Sequence, residues 1–330
     1  MEPWSITTIL IAFGGGVFGA ALGGLWSIIL CALLVLAGSV LVMAGGSNFL
    51  LMQVALGPIF GPHVGGFAAG IAAAAYAAGV KKNQPCGDAK DIVSPLTDTS
   101  WDVLAIGGLF AVLGHILAQI IPLIPIFNQT DTLAFNIFLT AVIARLVFFK
   151  GEMPWGKKES IQKYGYLGTN EGALSWMPWM SKPAKLLMLG IGMGSISPAM
   201  AMVVQKQLAP LVAKGTINAG DAFVVALLMG WTLAILALLL LNAATGSAQK
   251  VPITHCIAEL SAMAYLLTGS LIFGVIIGIV AAFWEELCAR LVWNHGSTHI
   301  DPPATAIAFG VMILALLLKP EFLNLAHFFK

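Results

Sequence analysis

Charge is what this chain has least of. Only 9% of its 330 residues are Asp, Glu, Lys or Arg, where a soluble domain carries about 25%. So few charges cannot clothe a water-facing surface, and a soluble globular fold is excluded. The net charge is only +1, which removes any electrostatic case for nucleic acid. Cysteine is scarce too: Cys31, Cys86, Cys256 and Cys288 lie far apart without a CxxC pair, so neither a disulfide framework nor a zinc ribbon follows. Basic residues are missing before the first apolar run, so that run reads as a retained helix rather than a cleaved signal peptide. A long polar segment is lacking as well. No nucleotide-binding domain can be placed, and function must sit within the bilayer or at its faces.

What is present is apolar. Hydrophobic residues make up 59% of the chain and the mean hydropathy is +0.92. The apolar runs fall at 6–25, 27–44, 49–59, 64–80, 103–126, 132–149, 185–204, 222–242, 253–267, 271–288 and 304–318, with 49–59 and 253–267 short. Most approach the length that crosses ~30 Å of hydrocarbon as a helix, and they are too long and continuous for barrel strands. The expected fold is an all-α polytopic membrane protein of about 10–11 transmembrane helices. It divides into a first membrane half at 1–149, a connecting loop at 150–183 and a second half at 184–330.

Lysines cluster after the fourth run (Lys81, Lys82, Lys90) and in the longest loop (Lys150, Lys157, Lys158, Lys163, Lys182). Positive loops stay inside, so both are expected to be cytoplasmic. Counting back four runs puts the N-terminus inside as well. Trp155, Tyr164, Tyr166, Trp176 and Trp179 in the longest loop predict a segment lying on the membrane surface. The stretch 320–330, with Phe322, Phe328 and Phe329, reads the same way.

An internal duplication is suggested by sliding the chain over itself by 208 residues, which matches Gly61 to Gly269, Gly66 to Gly274 and Gly70 to Gly278. Duplicated halves with sites at discontinuous helices are the usual build of secondary transporters. The glycines Gly15 and Gly19, or Gly66 and Gly70, have a plainer meaning as close helix contacts.

The most unusual local sequence runs from Gly57 to Gly66, with Pro58, Pro62 and His63 inside it. Such a stretch cannot propagate a helix, and broken backbone survives in a membrane only within protein or beside a water-filled cavity. It reads as a solute- or ion-lining break or as an external turn. His255 and Glu259 share one helical face in the other short run, and a carboxylate at membrane depth is a candidate proton or cation ligand. Asn48 and Gln53 could hydrogen-bond a solute or join helices. Arg145 is expected to snorkel to the basic loop. His115 is an isolated polar residue without an assigned role. Asp301 before Pro302 reads as a helix cap, though His295 and His299 beside it could contribute to a metal or a gate.

Glu285-Glu286-Leu287-Cys288-Ala289-Arg290 resembles the EExxxR motif of the CAAX-protease and bacteriocin-processing family. The resemblance covers these six residues and implies an intramembrane metalloprotease completed by histidines of downstream FxxxH and Hxxx(N/D) motifs. Phe322 and His327 stand at a different spacing, and no third motif follows.

The expected function is a secondary transporter, a permease for a small solute or ion coupled to protons or cations. Its site would be formed by Asn48, Gln53, His63, His255 and Glu259, without cofactor or metal. A channel, the metalloprotease-like enzyme and a membrane subunit of a larger complex are the alternatives. The expected partners are the bilayer of the cell membrane, the solute and further copies of the chain.

Overall fold

The computed structural model describes residues 1–170 and 174–318. Twelve α-helices and no strand occur among them: α1 Ile6–Leu22, α2 Gly24–Met43, α3 Ala68–Tyr76, α4 Trp101–Ile120, α5 Thr132–Phe148, α6 Lys158–Tyr164, α7 Pro183–Ala213, α8 Ala219–Leu236, α9 Leu239–Ala243, α10 His255–Thr268, α11 Leu271–Cys288 and α12 Pro302–Leu318. Five helical stretches are long and apolar enough to cross a membrane: Gly24–Met43, Trp101–Leu123, Pro183–Ala213, Ala219–Ala243 and Leu271–Trp293. Ile6–Leu22, Ala68–Lys81, Thr132–Phe148 and Pro302–Leu318 are apolar but shorter. The protein is an all-α membrane protein.

Local chemistry sets the breaks. Ser5 caps α1 by accepting from the Thr8 amide at 3.2 Å. Gly23 separates α1 from α2 at φ +83°, and a Cβ there would stand 2.6 Å from the Ser94 carbonyl oxygen, so only glycine fits. The proline- and glycine-rich stretch 57–67 is a buried interruption rather than an external turn. Its backbone is satisfied internally, with Gly61 and Gly66 donating to the Gly57 and Gly61 carbonyls and Ala68 to Pro62, each at 2.9 Å.

That interruption corrects the crossing count. Runs 49–59 and 64–80 were expected as two spans. They form one broken span: a π-helical turn at Leu50–Ala55, the buried break, then α3 and a second π turn at Ala77–Lys81. Lys81 pairs with Asp102 at the start of α4 at 3.0 Å. The Pro3 carbonyl instead meets His115 near the end of α4 at 2.8 Å. The N-terminus and the loop 82–100 therefore lie at opposite ends of the helices. The sequence reading placed them on the same side.

All the basic loops gather at one end. Lys90 donates to the Asn294 carbonyl at 3.2 Å, Ser160 meets His295 at 2.9 Å, and Arg290 donates to the Leu167 carbonyl at 3.1 Å. Arg145 does not snorkel. It is wholly buried and donates to the Pro154, Val292 and Thr298 carbonyls and to the Thr298 hydroxyl. Trp155, Tyr164 and Tyr166 are exposed as a surface segment requires, but Trp176 is buried and Trp179 donates to the Val251 carbonyl at 2.8 Å. This part of the loop folds inward because the entrance to α10 offers it an apolar wall and an acceptor. Phe322, Phe328 and Phe329 lie outside the described residues.

Helices meet through glycines. A Cβ on Gly16 of α1 would stand 2.9 Å from Gly108 Cα of α4, and one on Gly194 of α7 3.0 Å from Gly278 Cα of α11. α2 packs on α8, and α5 on α12. The 208-residue match does not follow this packing: Gly61 lies in the buried break, whereas Gly269 is the C-cap of α10 with open space around it. Replacing Gly194 by Val should cost about 1–3 kcal/mol by overpacking, read as a lower Tm in detergent. The same change at Gly192, where a Cβ would meet nothing within 4 Å, should cost far less. Equal losses would show that the glycine contact is not what holds α7 to α11.

Candidate functional site

The break before α10 and the folded-in segment before α12 leave a cavity of about 600 Å³ between α2, α5, α8, α10 and α12. Its walls are mostly aliphatic and aromatic, and it extends to Lys90, Trp176 and Trp293 at the basic end. Glu259 is 3% exposed, and its Oε1 has no hydrogen-bond partner. His255, one turn earlier on α10, is buried with Nδ1 also unpartnered. An orphaned buried polar atom costs about 1–3 kcal/mol, so two of them on one cavity wall mark a place where a ligand, proton or water would be accommodated.

Several helices begin at this cavity, among them α10 with His255 and, each closed by an aspartate, α5 and α12. Asp131 caps α5, accepting from the Ala134 amide at 2.6 Å, and Asp301 caps α12, accepting from the Ala304 amide at 2.8 Å. The Asp131 carboxyl interacts directly with that of Glu259. His299 stands 3.0 Å from Asp301 through Nε2, while its Nδ1 accepts from the Trp293 indole at 3.2 Å. An indole only donates, so the neutral ring must carry its proton on Nε2 and give it to Asp301. Asp301 is thus a cap, as its position before Pro302 suggested, and also part of the cavity wall.

At the cavity mouth Lys90 lies 3.8 Å over the Trp293 ring. Burial, reinforced by the Arg145 and Lys157 cations, pulls its ammonium down to about 8. Labelling by an amine-reactive reagent, read by mass spectrometry, should reach half its maximal rate near pH 8 at Lys90, far below the pH of about 10.4 at which a free lysine side chain does so. Coincident profiles would remove the desolvated ammonium from the mouth.

A second cavity, of about 370 Å³, opens toward the N-terminus and is lined by Met1, Pro3, Gln53, His63 and His115. Met52, Leu56, Thr132 and Leu133 line both cavities and stand between them. The expected site residues therefore divide. His255 and Glu259 share the first cavity, Gln53 and His63 the second, and Asn48 neither. Asn48 donates to Asp221 at the start of α8 at 2.9 Å, joining helices. Sequence reasoning missed Asp131 and the wall tryptophans Trp176, Trp231 and Trp293. Asp131 before an apolar run carries the same cap signal that was noticed at Asp301.

Glu286 and Arg290 pair at 2.8 Å, leaving Glu285 buried with both oxygens unpartnered. Among the described residues no three His, Cys, Asp or Glu side chains converge as metal ligands would.

Residues 1–152 and 172–328 match the model of a family of unknown function, DUF7973. The chain belongs to that family. Every cavity residue named above falls within the matched segments, whereas α6 lies between them. No curated protein and no solved structure matches the chain.

Proposed function

We propose that this protein is a secondary transporter that moves a small solute across the cell membrane in exchange for, or together with, a proton or other cation. The observation that carries the reading is Glu259: a buried carboxyl with an unpartnered oxygen, facing a closed-in cavity where several helices start partway through the bundle. Intramembrane carboxyls of this kind are expensive and mark ion or proton paths.

Pseudo-symmetry supports the reading. Gly108 and Gly278, and likewise Asp131 and Asp301, stand 170 residues apart. The α1–α4 glycine contact corresponds to α7–α11, with Gly16 and Gly194 shifted to 178 residues apart, and the capped start of α5 to that of α12. The paired helices run in opposite directions, as an inverted repeat requires. Inverted repeats place their sites at discontinuous helices and exchange access by rocking one half against the other. The two cavities separated by Met52, Leu56, Thr132 and Leu133 fit such an exchange, whereas an open channel would need a continuous path. With basic loops inside, the larger cavity faces the cytoplasm.

The test is proteoliposome transport. Vesicles holding purified protein and an internal pH dye are given a pH gradient and a panel of amines, carboxylates, sugars and inorganic cations. At least one solute class should dissipate the gradient faster than in protein-free vesicles. No acceleration by any class, with isotope uptake equally flat, would sink the proposal.

A further inference from the structure

Resting on the transport reading, we propose that the larger cavity binds lipophilic organic monocations, with the Asp131–Glu259 carboxyl pair as the counter-charge that releases a proton when the cation enters.

The charges on the wall decide the sign. Four carboxyls line the cavity, at Asp91, Asp131, Glu259 and Asp301, beside one ammonium, Lys90. Most are committed. Asp91 accepts from the Gln84 amide and the Val93 backbone, both at 2.8 Å, and Asp301 from Ala304 and His299. Lys90 is held by the Asn294 carbonyl and the Trp293 ring. What is left uncommitted is Glu259, whose Oε1 has no partner, beside the capping carboxyl of Asp131. An anion would be drawn to a helix N-terminus, but α5 and α12 are closed by their own aspartates, and the start of α10, which no side chain caps, lies one turn from the Glu259 carboxyl. A sugar needs many polar partners, and this wall offers few. An inorganic cation needs a cage of oxygens, and no three metal-binding side chains converge among the described residues. A cation with an apolar body fits: its hydrocarbon meets Leu, Ile and Met side chains and the lining Trp231 and Trp176, and its charge meets the Glu259 carboxyl.

Proton release follows from adjacency. Two carboxyls in direct contact do not both ionise cheaply, so one proton stays with the pair while the site is empty. A bound monocation supplies the missing positive charge, and the proton passes to water in the cavity, leaving the site's net charge unchanged. The other titratable groups facing the pair are His255 on α10, Asp301 and His299 at the start of α12, and Lys90 and Asp91 in the loop. Glu285 of α11 interacts with Asp301. Because proton and cation compete for one site, affinity should rise with pH.

The experiment titrates purified protein in detergent with tetraphenylphosphonium and, separately, with tetraphenylborate, the same shape with the opposite charge. Quenching of tryptophan fluorescence reports binding, and a pH dye in weak buffer reports protons. The phosphonium should quench saturably, release protons and bind more tightly as pH rises; the borate should show only the non-saturating partition seen with empty micelles. Glu259→Gln should weaken phosphonium binding at least about tenfold and abolish proton release. Should that variant fold poorly, the comparison of the two ions and the pH dependence on the wild-type protein decide alone. Saturable borate binding, no saturable phosphonium binding, or binding without proton release would overturn the assignment. So would a folded Glu259→Gln variant with undiminished affinity. Phosphonium binding with a flat solute panel would remove transport and keep the ligand class. A responsive panel led by anions or sugars would keep transport and remove the ligand class.

Discussion

Gradient-driven flux through Glu259→Gln should fall to the level of protein-free vesicles, while the purified variant keeps the wild-type elution profile and Tm. The amide preserves the volume and hydrogen-bonding shape of the side chain but has no proton to release, so the cycle of loading and unloading cannot turn. Stability is spared because the carboxyl is buried beside Asp131 without a cationic partner, and an uncharged group there costs no more. Asp131→Asn offers the informative contrast. Asparagine caps a helix about as well as aspartate, so α5 should still start at Thr132, yet the pair is again reduced to one carboxyl and coupling should be lost. Full gradient-driven flux in Glu259→Gln, with protein of normal Tm, would make the residue structural.

How far the sequence carries depends on which physical signal is strong. Helix positions were legible, because apolar runs and their caps are local: α11 runs from 271 to 288 as read, and α5 and α12 begin within two residues of the expected points. The parity of crossings was not. Whether 57–67 turns outside or folds inward depends on neighbours that cover its backbone, such as Gly19 of α1 against Gly65 and Gly114 of α4 against His63, and no local pattern encodes those. The repeat was sought where glycine is densest, and shared composition pulled the alignment to 208 residues. The packing instead places Gly108 and Gly278, 170 residues apart, against Gly16 and Gly194, 178 apart, so no single offset aligns both helices. His255 and Glu259 stood out because polar groups at membrane depth are conspicuous. Asp131 was passed over because it sits at the edge of an apolar run, where an aspartate ordinarily faces water.

Replacing Arg145 by Met should cost about 3–5 kcal/mol, the penalty for breaking a buried charged network from one side. The guanidinium bridges the Pro154, Val292 and Thr298 carbonyls, and it stands 3.6 Å from Glu152. Glu152 in turn accepts from the Ser297 amide at 2.6 Å. Methionine fills part of the space but satisfies none of the carbonyls and leaves Glu152 buried without its cation. These contacts hold the segment between α11 and α12, and with it His299 and Asp301, so the loss should reach the cavity. Tm in detergent should fall sharply, and adding Glu152→Gln should restore part of the loss by removing the stranded carboxylate. Arg145→Lys should recover little, since an ammonium has three donors and no planar fork to span the same acceptors. A Tm within a degree or two of wild type in Arg145→Met would mean that water replaces the guanidinium and that the segment before α12 is held by its other contacts, among them Lys90–Asn294, Ser160–His295 and Lys157–His295.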